Sequence, residues 1–138
     1  MNKPTVLLVE DEPGHVKLIT RNLQRRGCEG EIKVFNDGED ALELLLRRGQ
    51  YAYAELPSII LLDLNLPRVS GLEVLQQISR DPLASQIPVI ILTTSDEPED
   101  ILDCHELGYR EYMVKPPNYD ALYMRMQRLL QEAAQQDW

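Results

Sequence analysis

The chain has little cysteine, little histidine, few aromatic residues and a shortage of positive charge. It carries 2 cysteines, 2 histidines and 6% aromatics among 138 residues. Cys28 and Cys104 stand far apart, and no His or Cys pair occurs at metal-ligand spacing, which leaves a thiolate or imidazole metal centre without donors. A reduced, cytoplasmic setting fits two such cysteines. Lys and Arg total 14 against 23 Asp and Glu, a formal net charge of −9. That balance excludes a general nucleic-acid binder, because a phosphate backbone demands a cationic surface. "RRG" occurs twice, from Arg25 and from Arg47. Both copies fall at the ends of expected helices, where cations suit the helix dipole. Long apolar runs are also missing: "TVLLV" near the start is 5 residues long and ends in acid. It is neither a secretory leader nor a membrane span.

What is present is an alternation. Short apolar runs take turns with amphipathic stretches, the pattern of an α/β domain. Strands are expected at Thr5–Val9, Glu31–Phe35, Ser58–Leu62, Pro88–Thr93 and Glu111–Lys115. Helices are expected over about Gly14–Arg26, after the turn signal "NDG", from near Gly71, over about Pro98–Leu107, and in the last stretch. The second strand alternates polar and apolar residues and belongs at an edge of the sheet, half exposed, whereas the first reads as buried. The fourth helix is acidic and only weakly amphipathic. The segment after about Gln131 reads as a short polar tail. With right-handed crossovers, five βα units give a flavodoxin-like (βα)5 doubly wound parallel sheet of order 2-1-3-4-5, a single domain over residues 1–138 with a core of about 4–130.

The strand ends hold the chemistry. The first strand runs into Glu10, Asp11 and Glu12, and the third into Asp63 with Asn65 close behind. The fourth ends in Thr93, Thr94 and Ser95, and the fifth in Lys115 and Pro116. All these ends share the carboxyl edge of one parallel sheet, so several carboxylates converge in one crevice. A cation must offset them. An all-oxygen donor set favours Mg2+, which keeps several waters and leaves room for phosphate oxygens. An aspartate so placed can attack phosphorus and carry an aspartyl phosphate, with a lysine, a hydroxyl and the ion offsetting charge.

"LLVEDE", "IILLDLNLP", "PVIILTTS" and "GYREYMVKP" resemble, in order and spacing, the receiver domain of two-component response regulators. The likeness runs from about Pro4 to Leu130. It implies that Asp63 is the phosphoacceptor, supplied by a phosphohistidine on a sensor histidine kinase or by a phosphotransfer protein. It implies further that Asp11 binds Mg2+ directly and Glu10 through water, with Asp63 and the Asn65 carbonyl completing the metal site. Thr93 and Lys115 would contact the phosphoryl oxygens. Tyr112 would turn with Thr93 as the switch aromatic, and the bond before Pro116 would be cis. The face made by the fourth helix, fifth strand and fifth helix would then change its binding to a partner or to a second copy. No membrane or nucleic-acid partner is implied.

Pro117 and Thr94 depart from the family's common pattern, which has an aromatic at the first and a smaller residue at the second. The stretch "RRGQYAYAELPS" is longer than a minimal connection. With "LLDLNLP" and "LTTS" it looks like the single-domain regulators that partner bacterial phytochromes. Some positions stay open on sequence grounds. Tyr112 reads equally as a packing residue, Tyr51 and Tyr53 as interface residues or loop anchors, and His15 and His105 as surface helix residues, with His15 following the acidic loop closely enough to rim the site as its alternative. Trp138 carries no reading. Two other functions share parts of the pattern. A Mg2+-dependent phosphohydrolase would place a D-x-D pair after the first strand, where this chain has "VEDE". A flavin module needs a Ser/Thr/Gly-rich phosphate loop, where this chain has "EDEPGH".

Overall fold

A computed structural model describes residues 4–28 and 30–136; Trp138 lies outside them. The elements run β1 (Thr5–Val9), α1 (Pro13–Arg25), β2 (Glu31–Phe35), α2 (Gly38–Leu45), β3 (Ile59–Leu62), α3 (Gly71–Ser79), β4 (Val89–Thr93), α4 (Pro98–Glu106), β5 (Glu111–Val114) and α5 (Tyr119–Gln136). Short 3-10 turns fill Gly49–Tyr51 and Ala84–Gln86. The strands form one parallel sheet in the order β2-β1-β3-β4-β5. This is the flavodoxin-like winding expected from the sequence. Strand limits agree with the reading to within a residue. α5 differs: it continues through Gln136, so the polar stretch 132–136 is helical. Polarity there said nothing of unwinding, since Glu, Ala and Gln are good helix formers.

Successive side chains of a strand point to opposite faces, and the core divides accordingly. Leu7, Val9, Ile60, Leu62, Val89 and Ile91 pack on one face with Ala41 and Leu45 of α2 and Val74, Leu75 and Ile78 of α3. Val6, Leu8, Ile59, Leu61, Ile90 and Leu92 pack on the other with Ile19 and Leu23 of α1 and Leu122 and Met126 of α5. A strand buried on both faces cannot bend or slip, which makes β3 a rigid mount. Every residue of β3 is buried. β2 is half solvated, as an edge strand should be.

Local signals fix where the helices begin. Pro13 opens α1 at its first position, where its missing N–H costs nothing. Asp37 caps α2 by accepting from the Asp40 N–H at 2.8 Å, and Ser70 caps α3 by accepting from Glu73 at 3.2 Å. Gly71 is required by close approach. A Cβ there would lie 2.1 Å from the Asp63 carbonyl oxygen and 2.7 Å from the Leu64 Cα. α4 is the weakly held helix. Cys104 is its one buried residue, and no side chain caps its start.

Candidate phosphoacceptor and metal site

Register brings the acidic tips together. Val9 of β1 pairs with Leu62 of β3, so Glu10 and Asp63 follow side by side. The Asp63 N–H donates to the Val9 carbonyl at 3.1 Å, holding the third tip to the first. Glu10 and Asp63 are buried and Asp11 is exposed, and one carboxylate oxygen from each lies within 4.8 Å of the others.

Lys115 reaches in from the end of β5 with its side chain only 7% exposed. Its ammonium donates to Glu10 Oε1 and, at 3.1 Å, to Asp63 Oδ2. Three carboxylates against one ammonium leave two negative charges in the crevice, the deficit that a divalent cation would fill. The donors are hard oxygens with one exposed member, which suits Mg2+ retaining part of its water shell. Burial, with the charge of Asp63 behind it, pushes the Glu10 carboxyl above the usual range, while the hydrogen bond from Lys115 opposes that shift. The Glu12 N–H also holds Glu10, donating to Oε2 at 3.2 Å.

Asn65 sits at the open edge of the crevice. Its N–H donates to Asp63 Oδ1 at 3.1 Å, and its side-chain amide donates to Thr94 Oγ1 at 3.3 Å. The second bond ties the β3–α3 loop to the β4–α4 loop across the approach to Asp63. Thr93 is fully buried, and its Oγ1 accepts from the Ser95 N–H at 3.4 Å. Tyr112 lies half-buried against Tyr109, and its hydroxyl donates to the Ser95 carbonyl at 2.8 Å. Burial raises its phenol, so the hydroxyl stays a donor. Ser95 in turn donates to Asp100 in the first turn of α4 at 2.5 Å. Thr93, Ser95, Tyr112 and α4 therefore form one connected unit. The Lys115–Pro116 peptide bond is cis.

His15 is the residue undervalued by the sequence reading. Expected as a surface helix residue, it presents Nδ1 3.1 Å from Lys115 Nζ and 3.8 Å from Glu10 Oε1. The available signal was its place in the first turn of a helix opened by Pro13. Side chains tilt toward a helix's N-terminus, so that turn faces back to the acidic loop. His15 and Lys115 both line a cavity of about 160 Å³ closed by Ile19, Pro116 and Tyr119. The two tyrosines of the long loop divide: Tyr51 packs against Phe35 at 6.0 Å, and Tyr53 is fully exposed.

A family model described as the response regulator receiver domain matches residues 6–127. Among curated proteins, the response regulator Rcp1 of Synechocystis sp. is 37% identical over 127 residues, spanning 91% of this chain and 86% of its own. Among solved structures, the phosphorylated cyanobacterial phytochrome response regulator RcpA matches with a TM-score of 0.80 at 36% identity, covering 91% of this chain and 90% of that one. The Mn(2+)-bound form of Rcp1 matches with a TM-score of 0.78 at 35% identity, covering 91% of each chain.

Proposed function

Because the chain belongs to the response regulator receiver domain family, a module of phosphorylation-based signalling, we propose that Asp63 accepts a phosphoryl group in a Mg2+-dependent reaction. The carrying observation is the placement of its carboxylate. Asp63 stands at the tip of the rigid β3, with Lys115 Nζ 3.1 Å from Oδ2 and the Glu10 and Asp11 carboxylates within 4.8 Å. Glu10, Asp11, Asp63 and the backbone carbonyl of Asn65 would hold the ion. A bound Mg2+ supplies an electrophile that offsets charge on the transferring oxygens. That the similar Rcp1 has an Mn(2+)-bound form supports a divalent ion here by analogy.

The chain's own groups do the rest. An Asp63 oxygen attacks phosphorus as the P–N bond of a donor phosphohistidine breaks, and the imidazole leaves with its electron pair. Lys115 and Thr93 steady the phosphoryl oxygens, and the rigid strand tips keep nucleophile and cation in register. The donor in this reading is a sensor histidine kinase or a phosphotransfer protein. The phytochrome named for RcpA supports a phytochrome-type kinase. The protein is a signalling domain rather than a classical enzyme, its chemistry confined to self-catalysed transfer and slow loss of the phosphoryl group.

The output runs through Thr93. A phosphoryl group on Asp63 adds charge and acceptor oxygens toward which the Thr93 hydroxyl can turn to donate its proton. Its Ser95 contact is then given up, and Tyr112 and α4, which share Ser95, repack with it. The surface that changes is the α4-β5-α5 face, which serves a downstream partner or a second copy of the chain. The test is labelling by a small phosphodonor with and without Mg2+. Wild type should incorporate one phosphoryl group per chain, and Asp63→Asn none. Labelling that survives Asp63→Asn would overturn the assignment.

A further inference from the structure

We infer that His15 is a positioning residue for Lys115, holding the ammonium in line with Asp63 through its Nδ1 lone pair. The inference deepens the phosphoacceptor reading and rests on it. An ammonium has three protons to give and no lone pair. Here it has three acceptors: Glu10 Oε1, Asp63 Oδ2 at 3.1 Å and His15 Nδ1 at 3.1 Å. With its side chain 7% exposed, Lys115 has little water to take the place of a lost partner. A buried donor left unmet is costly, so each of the three acceptors restrains the lysine's rotamer.

The three acceptors are not alike in what happens to them during the reaction. Asp63 is the group that is modified, and Glu10 sits in the proposed metal site. His15 is neither modified nor a member of the proposed donor set, although its Nδ1 lies 3.8 Å from Glu10 Oε1. It is carried on the first turn of α1, which is fixed by Pro13 at its start and by the Val16 N–H donating to the Glu12 carbonyl at 3.0 Å. When the Asp63 oxygen forms its bond to phosphorus, its contact with Lys115 is redrawn, while the contact with His15 is kept. His15 therefore sets where the ammonium stands as the phosphoryl group arrives. Accepting from Lys115 requires neutral His15 to carry its proton on Nε2.

Two measurements test this. Long-range nitrogen–proton NMR of the metal-free protein should show the Nε2–H tautomer of His15; a proton on Nδ1 would overturn the inference, because no lone pair would then face Lys115. The second is the rate of labelling by a small phosphodonor at saturating Mg2+. His15→Leu fills the space without an acceptor and should slow labelling about fivefold. His15→Asn places an amide oxygen where Nδ1 stood and should recover the rate to within about twofold. Thermal melts of the three proteins identify any variant that is merely unfolded. Equal labelling by wild type and His15→Leu would sink the positioning role and leave Asp63 as acceptor. No labelling of wild type would instead sink the acceptor reading itself.

Discussion

Lys115 is held by the groups whose charges it offsets, and this sets the stability of the site as well as its reactivity. Replacing it by Met leaves the buried Glu10 and Asp63 carboxylates facing each other with no cation. Breaking a buried ion pair from one side costs roughly 3 kcal/mol, and Lys115→Met should lower metal-free stability by that order in urea denaturation. Mg2+ should return part of the loss in Lys115→Met. It should return much less when Asp11→Ala is added, because the exposed member of the donor set is then gone. At the same scale, Gly71→Ala drives a methyl against the Asp63 carbonyl. It should cost about 2 kcal/mol and slow labelling, because the backbone that must move is the one carrying the nucleophile. The convergence of Glu10, Asp11, Asp63 and Lys115 was legible in the sequence because each stands at or just past the end of a strand, and strand ends of a parallel sheet converge. Of His15 only its nearness to the acidic loop was legible, because its contact depends on a lysine 100 residues away and on the tilt of one helical turn.

Elements differ in how firmly the core holds them, and the difference follows the proposed division of labour. α3 buries Val74, Leu75 and Ile78 and is capped by Ser70, whereas α4 buries Cys104 alone. Burial raises the Cys104 thiol to about 11, with Asp100 and Asp103 adding to the shift. In the native protein a disulfide-exchange reagent should modify the partly exposed Cys28 quickly and Cys104 only as fast as α4 opens. Activation that loosens α4 should speed the second reaction. The loop before β4 is tied differently. Asp81 accepts from the Ala84 N–H at 2.8 Å and the Leu83 N–H at 3.1 Å, and pairs with Arg47 beyond the end of α2. The Ala84 N–H above all, with help from Arg47, holds the Asp81 carboxyl below its usual range. A lowered carboxyl contributes stability above the unfolded-state value of 3.8, and that contribution is lost as pH falls through the lower folded value. Asp81→Asn should therefore cost about 1 kcal/mol at neutral pH. The gap from wild type should close as denaturation curves are taken down to about pH 2. The strands and capped helices were readable because apolar period and cap residue agree. The tie between Arg47 and Asp81 was not, since "RRG" shows a cation at a helix end and not the acid it meets.

For the molecule as a whole, winding order followed from right-handed crossovers and one asymmetry: β2 is half polar while β1, β3 and β4 are largely apolar, so β2 belongs outside. What the pattern could not show is which apolar residues lie on the proposed output face, because an exposed apolar residue reads the same as a core residue until the fold is known. Each element of the α4-β5-α5 face exposes one large apolar side chain: Leu102 at 62%, Val114 at 41% and Met124 at 68%. Beside them, Arg125 of α5 pairs with Glu111 of β5 at 3.0 Å. Apolar side chains exposed on each element of one face, with an ion pair on that face, offer groups that a protein partner could bury. If two copies meet there on activation, they bring net charges of −9 against each other. Salt screens that repulsion and leaves the apolar contact intact, so the association should strengthen between low and moderate ionic strength. Light scattering of the Mg2+ and beryllofluoride form should show a dimer where the metal-free protein is monomeric. Val114→Lys with Met124→Lys should keep it monomeric while leaving Asp63 labelling near wild type, since both side chains are exposed to water. A dimer that survives both substitutions, or one that weakens as salt rises, would place the contact elsewhere on the molecule.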